Sequence, residues 1–354
     1  MSMSRSPSSA SSAPTASADA RFDRARGAFY GLALGDAFGM PTQSLSREQI
    51  HARYGRVTAL LDADADQPIA PGMPAGSITD DTEQAVLVAQ LLVDGHGTIE
   101  PLEFARRLIA WEAAMKAKGS LDLLGPSTRR ATQAIVDGEN VLVSGRFGTT
   151  NGAAMRVTPV GIAASFASPD AFVDAVVGSC IVTHNTTLGI ASATAVAAAV
   201  SAGIEGATLP EALAIGADFA ERGEQRGFWV AGARIGARIR WVADLTAQVS
   251  GDALAGLLYE VVGTSVASQE SVVAAFALAH DAAHRGTGIE SSLATAASLG
   301  GDTDTIAAML GAMLGACTGY DALPREPVET VRRVNALDLD PLIRQLLDLR
   351  GPRG

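Results

Sequence analysis

Two cysteines in 354 residues are too few for a disulfide framework, and their positions give no zinc-ligand spacing. Cys180 and Cys317 each stand in an apolar run, which suits buried thiols in a reducing compartment, so a cytoplasmic location is expected. Positive charge is also short. Lys and Arg number 27 against 38 Asp and Glu, for a formal net charge of −11. A broad nucleic-acid surface needs a basic stripe, and none is present, so no nucleic-acid partner is expected. A small anionic ligand held by backbone N–H groups remains compatible with that charge. Long hydrophobic runs are missing as well. The longest, residues 188–202, is built largely of Ala, Val and Ser and falls short of a membrane span. Residues 1–20 are rich in Ser, Ala and Pro and lack the apolar segment of a secretory signal. Their composition is that of a disordered tail. Alternating β patterns are scarce, since Val141-Leu142-Val143 is too short to count as a strand.

What the chain does have is helix-forming sequence. Its hydrophobic fraction is 47%, enough for a sizeable core, and Ala, the best helix former, is abundant. Apolar segments of about 10–18 residues alternate with short Gly or Pro breaks, as in helical domains. A helix is expected over residues 22–34, ending in Gly35-Asp36-Ala37-Phe38-Gly39-Met40-Pro41. Later segments include 153–164, 186–202, 230–245, 271–284 and 306–314. Gly311 and Gly315 form a GxxxG pair, read here as close helix packing in a core. The expected architecture is one compact all-α domain over residues 21–350. Nothing sets an oligomeric state, and a monomer is the default.

Two acidic knots stand out. Ser77-Ile78-Thr79-Asp80-Asp81-Thr82 follows a long Asp-, Pro- and Gly-rich loop over 62–76, and Gly300-Gly301-Asp302-Thr303-Asp304-Thr305 lies near the other end. Each precedes an apolar helical run. Carboxylates and hydroxyls cap helix N-termini, which is the plain structural explanation. A cap needs one or two acids, however, not adjacent ones, and adjacent aspartates repel unless a hard cation relieves them. Mg²⁺ and Mn²⁺ prefer such oxygen donors. One shared carboxylate can bridge two ions about 3.5–4 Å apart. The knots can meet only if the whole chain is one domain.

Three further stretches carry weaker signals. Gly148-Thr149-Thr150-Asn151-Gly152 opens a helix and suits a phosphate or diphosphate, although it is no P-loop and can equally be a turn with an Asn cap. His184, in Val182-Thr183-His184-Asn185, can be a core histidine or a donor to a ligand. Asp122 stands in a Gly- and Pro-containing loop, as a turn residue or a substrate-positioning acid.

Together these motifs resemble the ADP-ribosylglycohydrolase family. The matching stretches are Gly31-Leu32-Ala33-Leu34-Gly35-Asp36-Ala37-Phe38-Gly39, Thr79-Asp80-Asp81-Thr82, Thr150-Asn151-Gly152-Ala153-Ala154-Met155-Arg156, Thr183-His184-Asn185 and Leu299-Gly300-Gly301-Asp302-Thr303-Asp304-Thr305, in the family's order. The resemblance implies an all-α fold with two Mg²⁺ or Mn²⁺ ions in a central cleft. It implies Thr79, Asp80, Asp81, Asp302, Asp304 and Thr305 as metal ligands. Gly148, Thr149, Asn151 and Gly152 would contact the diphosphate and distal part of ADP-ribose, with His184 nearby. Asp80, Asp81, Asp304, Asp122 and the position of Gln43 would carry the catalytic work. The last is a departure: Gln43 stands where the family usually has glutamate, and an amide cannot act as a general base. Either the acid–base work falls to Asp80 or Asp81 with water, or the substrate differs. The expected activity is hydrolysis of an N- or O-glycosidic bond to ribose, foremost in ADP-ribosyl conjugates. The alternatives are another nucleoside or small glycoside as substrate, and an ADP-ribose-binding protein without catalysis.

Overall fold

Four glycines spaced one helical turn apart decide how the core is assembled. In the computed structural model, which describes residues 16–350, helix α1 spans Ala18–Gly39 and presents Gly27, Gly31, Gly35 and Gly39 along one face. Helix α15 (Thr303–Thr318) runs against that face. A Cβ placed on Gly31 would stand 2.3 Å from the Gly311 carbonyl oxygen, and one on Gly35 only 2.0 Å from that of Ala307. A Cβ on Gly27 would meet the Gly315 carbonyl oxygen at 2.2 Å. The two backbones can touch only because the side chains are absent, and the GxxxG pair packs as its spacing suggests. The same contact corrects the expected helix end at Leu34. Gly35 and Gly39 serve close approach rather than a break, so α1 continues to Gly39 and stops only before Pro41, in the 3₁₀ turn Met40–Thr42.

The remaining helices follow Ala-rich segments between Gly and Pro punctuation. They are α2 Arg47–Tyr54, α3 Asp80–Asp94, α4 Pro101–Ala117, α5 Pro126–Val136, α6 Gly152–Met155, α7 Thr158–Ala163 and α8 Pro169–Cys180. Then come α9 Thr187–Ile204, α10 Leu209–Gly223, α11 Ile235–Thr246, α12 Gly251–Leu257, α13 Ser268–Arg285 and α14 Ile289–Ala297, with α16 Arg325–Val334 and α17 Asp340–Leu349 after α15. Among the described residues there is no sheet, and the all-α expectation holds. Helix α9 lies inside, packed by α7, α10 and α15. At 18 residues and mean hydropathy 1.7 it is long and apolar enough to cross a membrane, contrary to the sequence reading, but 94% of it is buried within the protein. It serves as the core helix.

Other expectations need adjustment. Of the expected tail, residues 1–15 lie outside the described residues, while Ala18 already starts α1 under a Ser17 cap. The segment 153–164 is two short helices, because Arg156 and Val157 leave the helical path before Pro159. Residues 230–234 are an extended loop ahead of α11.

Helix α1 starts near the N-terminus and α15 lies near the C-terminus, yet they pack against each other along several turns. That pairing brings the end of α1, the start of α3 and the start of α15 to one place. Among the described residues three isolated bridges, Leu45 with Gly301, Thr150 with Ala267 and Thr186 with Phe228, tie loops together, the first of them at this place.

Candidate functional site

The first knot is built around an aspartate from another helix. Asp36, fully buried near the end of α1, accepts hydrogen bonds from the Thr79 N–H (3.0 Å) and hydroxyl (2.8 Å). It also accepts from the N–H (3.1 Å) and hydroxyl of Thr82. It thus satisfies N–H groups that a helix start leaves open. Thr79 is the N-cap of α3, so Asp80 and Asp81 fall in its first turn. The Asp80 N–H donates to Asp122 Oδ2 at 2.9 Å, which brings the loop acid singled out in the sequence into the same group.

The second knot depends on two glycines. Gly300 (φ 87°) and Gly301 (φ 82°) lie in the left-handed region that favours glycine, and they turn the chain into α15. Gly301 pairs with Leu45, and the Asp302 N–H donates to the Thr264 carbonyl at 2.7 Å. The Thr42 and Thr303 hydroxyls lie 2.9 Å apart, locking the turn after α1 onto the start of α15.

The knots meet at Asp81. Its Oδ2 accepts from Thr305 Oγ1 (3.2 Å), 224 positions away in sequence, and lies 3.3 Å from Thr79 Oγ1, whose hydrogen goes to the nearer Asp36. Its Oδ1 is buried with no hydrogen-bond partner. An ionised buried oxygen without a partner is costly, so this atom is the clearest sign that something electropositive belongs there.

The electrostatics agree. Burial, followed by the charges of Asp122, Asp304, Asp36 and Asp302, pushes Asp80 well above the usual carboxylate range. Asp81 is raised by burial and then by Asp304, Asp36 and Asp80. Asp304 is raised by burial and then by Asp302, Asp36 and Asp122. Burial lifts Asp36 and Asp302 to about 6 each, and Asp122 to about 7 with help from Asp36. Among the described residues, none of the six pairs with Lys or Arg. Nor do any three His, Cys, Asp or Glu side chains among the described residues form a ready metal-binding group, while the Thr305 hydroxyl lies against Asp81 Oδ2. The donor set still fits a hard divalent cation. It is all oxygen, it repels itself, and one carboxylate oxygen is bare.

Beside the knots lies the Gly148–Gly152 loop. A Cβ on Gly148 would stand 2.0 Å from the Thr183 carbonyl oxygen, so only glycine lets the loop rest on this strand of chain. The expected row of free backbone donors is thinner than the glycines suggest. Gly148 N–H bonds to Gly145 and Asn151 N–H to Val266, while no partner is found for the Thr149 N–H among the described residues. Asn151 does not cap α6 with its side chain. Its amide nitrogen donates to Ser271 Oγ (2.9 Å) and to the Asp302 carboxylate, joining the loop to the second knot. His184 is fully buried under the loop, with Nε2 2.9 Å from Thr150 Oγ1 and its Cε1 3.0 Å from where a Gly152 Cβ would be. Burial, then Arg156, pushes its pKa well below the usual range, so the ring is neutral.

Gln43 follows the Met40–Thr42 turn. It is buried, its backbone carbonyl accepts from Gln67 Nε2 (2.8 Å), and its own Nε2 has no partner. Four participants escaped the sequence reading of roles: Asp36, Gln84, Thr150 and Arg156. Asp36 had a usable signal, an acid alone within a stretch of otherwise apolar helix.

Known proteins place this arrangement. The sequence profile of the ADP-ribosylglycohydrolase family matches residues 17–354. The YegU protein of Escherichia coli K12 is 32% identical over 332 residues, covering 94% of this chain and 98% of its own. A Pseudomonas putida GB-1 protein named ADP-ribosylarginine hydrolase Tri1 is 25% identical over 326 residues, covering 91% of this chain and 77% of its own. Among solved structures, a chain of an ADP-ribosylglycohydrolase-related protein complex superposes with a TM-score of 0.68 at 24% identity. That match covers 94% of this chain and 99% of the other, and it shows the same fold. With the family profile spanning nearly the whole chain and a full-length relative above 30% identity, this protein belongs to the ADP-ribosylglycohydrolase family.

Proposed function

We propose that the protein hydrolyses the glycosidic bond between the ribose C1′ of ADP-ribose and an acceptor group, with ADP-ribosylated arginine as the first candidate. The observation that carries this reading is the meeting of both acidic knots at Asp81, one bare carboxylate oxygen included, beside the Gly148–Gly152 loop. Family membership supports the reaction class, and the name of the Tri1 relative supports the arginine linkage.

Thr79, Asp80, Asp81, Asp302, Asp304 and Thr305 would hold two Mg²⁺ or Mn²⁺ ions. Such a pair would supply Lewis acidity and lower the pKa of bound water. Asp36 holds Thr79 and Thr82 so that Asp80 and Asp81 project together. Gln43 cannot take a proton, so proton transfer falls to Asp122, a carboxyl that accepts from the Asp80 N–H beside the knots. The Thr149 N–H and the N-terminal ends of α9 and α13 provide a positive setting for the diphosphate. Departure of the acceptor leaves an oxocarbenium-like ribose carbon, which the surrounding carboxylates stabilise.

Gln43 favours one competing reading, a ribosyl substrate other than an ADP-ribosylated protein. A panel of ADP-ribosyl-arginine, ADP-ribosyl-serine peptides and free nucleosides, each with Mg²⁺ or Mn²⁺, separates the two. Release of ADP-ribose from the arginine conjugate is expected. Turnover of nucleosides alone would overturn the substrate, and tight ADP-ribose binding without product from any of them would overturn catalysis.

A further inference from the structure

Arg156 is 0% exposed and makes no salt bridge among the described residues. It lies 5.0 Å from the centre of the Phe104 ring. Burying a guanidinium without an ion-pair partner is costly relative to an apolar side chain of similar size. Its hydrogen bonds show what the charge is used for. Nη1 donates to Gln84 Oε1 at 2.6 Å, and Gln84 Nε2 donates on to Asp80 Oδ2 at 2.6 Å. On the other side, Nη2 donates to Thr183 Oγ1 at 2.6 Å. Thr183 Oγ1 lies 2.8 Å from His184 Nδ1, and His184 Nε2 lies 2.9 Å from Thr150 Oγ1.

The direction of this chain follows from donor chemistry. Arginine only donates, so Thr183 Oγ1 must accept from it. The Thr183 hydroxyl hydrogen is then left for His184 Nδ1, its one acceptor partner here. A neutral imidazole that accepts at Nδ1 carries its proton at Nε2. That proton points at Thr150 Oγ1, which leaves the Thr150 hydroxyl hydrogen free for another acceptor. The other arm is equally fixed. An amide that accepts at Oε1 turns its NH₂ to Asp80, a proposed metal ligand.

We infer that Arg156 is a positioning residue that works in both directions: through Gln84 it orients Asp80, and through Thr183 it fixes His184 as the Nε2–H tautomer, so that the Thr150 hydroxyl is presented as a donor to an anionic oxygen. If the ligand is ADP-ribose, as proposed above, that oxygen is a phosphate oxygen, and this part of the inference rests on that reading. One buried cation thus sets the hydrogen-bond polarity of both halves of the site.

The test reads the tautomer directly. Nitrogen-15 NMR of the ligand-free protein at neutral pH should show His184 protonated at Nε2 and bare at Nδ1, with the signal assigned by its loss in His184→Gln. Thr183→Val keeps the shape and removes the hydroxyl. It should convert His184 to a mixture of tautomers and weaken ADP-ribose binding about tenfold, the scale of one weakened hydrogen bond to a charged group. Thr183→Ser should restore the Nε2–H form and bring affinity back to within about twofold of the parent. A parent protein with its proton on Nδ1, or a Thr183→Val variant with an unchanged tautomer, overturns the relay. The tautomer is read without ligand, so a parent protein that binds no ADP-ribose would overturn the substrate reading while the NMR result still decides the relay.

Discussion

Asp304→Asn should abolish most hydrolysis of ADP-ribosyl-arginine while making the metal-free protein more stable. Asp304 is 3% exposed in the first turn of α15, and its Oδ1 accepts from the Thr305 N–H at 2.9 Å. The amide keeps that size and that acceptor. It removes one negative charge from a group in which Asp304 raises the pKa of Asp81 and is itself raised by burial and then by Asp302, Asp36 and Asp122. Without a cation, the change relieves repulsion, and the melting temperature should rise. With Mn²⁺ or Mg²⁺ present, it removes a charged ligand from a centre asked to supply several kcal/mol of transition-state stabilisation. Each 1.4 kcal/mol is a factor of ten, so kcat/KM should fall by about a thousandfold or more. Opposite signs in the two measurements separate a lost ligand from a damaged fold. Unchanged turnover would remove Asp304 from the mechanism.

The acid cluster also predicts an unusual pH profile. Asp36 and Asp302 titrate near 6 and Asp122 near 7, each above an ordinary aspartate, and Asp80, Asp81 and Asp304 are raised as well. For an acid, a raised folded-state pKa means that the native protein binds more protons than the unfolded chain between about pH 4 and 7. Stability is therefore highest below the unfolded value and falls as pH rises through the folded values. Each unit of elevation corresponds to about 1.4 kcal/mol. The chelated protein should melt at least about 5 °C lower at pH 8 than at pH 5.5. Divalent cation should recover the loss at pH 8 and add less at pH 5.5, where protons already neutralise the site. Differential scanning calorimetry with and without chelator checks both arms. A melting temperature that rises with pH in the chelated protein would show that the six carboxyls do not share one buried site.

Much of this was readable from local sequence. Ala-rich segments between Gly and Pro breaks give most of the helices. The two knots announce themselves because adjacent acids at a helix start exceed what a cap requires. Asp122, placed only loosely by its loop, does reach Asp80. What stayed hidden depends on contacts across the chain. Gly35 and Gly39 look like a helix break until Ala307 and Asp304 are seen against them. Asp36 looks like part of that break until Thr79 and Thr82 are found donating to it. Asn151 reads as a helix cap, whereas its amide reaches Ser271 and Asp302. Arg156 is the extreme case: its partners Gln84 and Thr183 lie 72 and 27 positions away, and neither spacing has a sequence signature.

The claim on which the rest depends is that the two knots form one metal centre. Anomalous diffraction from crystals soaked in Mn²⁺, recorded on both sides of the manganese absorption edge, addresses it directly. Two peaks among Thr79, Asp80, Asp81, Asp302, Asp304 and Thr305, with Asp81 Oδ1 in contact with one of them, are the expected result. No peak within coordination distance of Asp81 at saturating Mn²⁺ would contradict it.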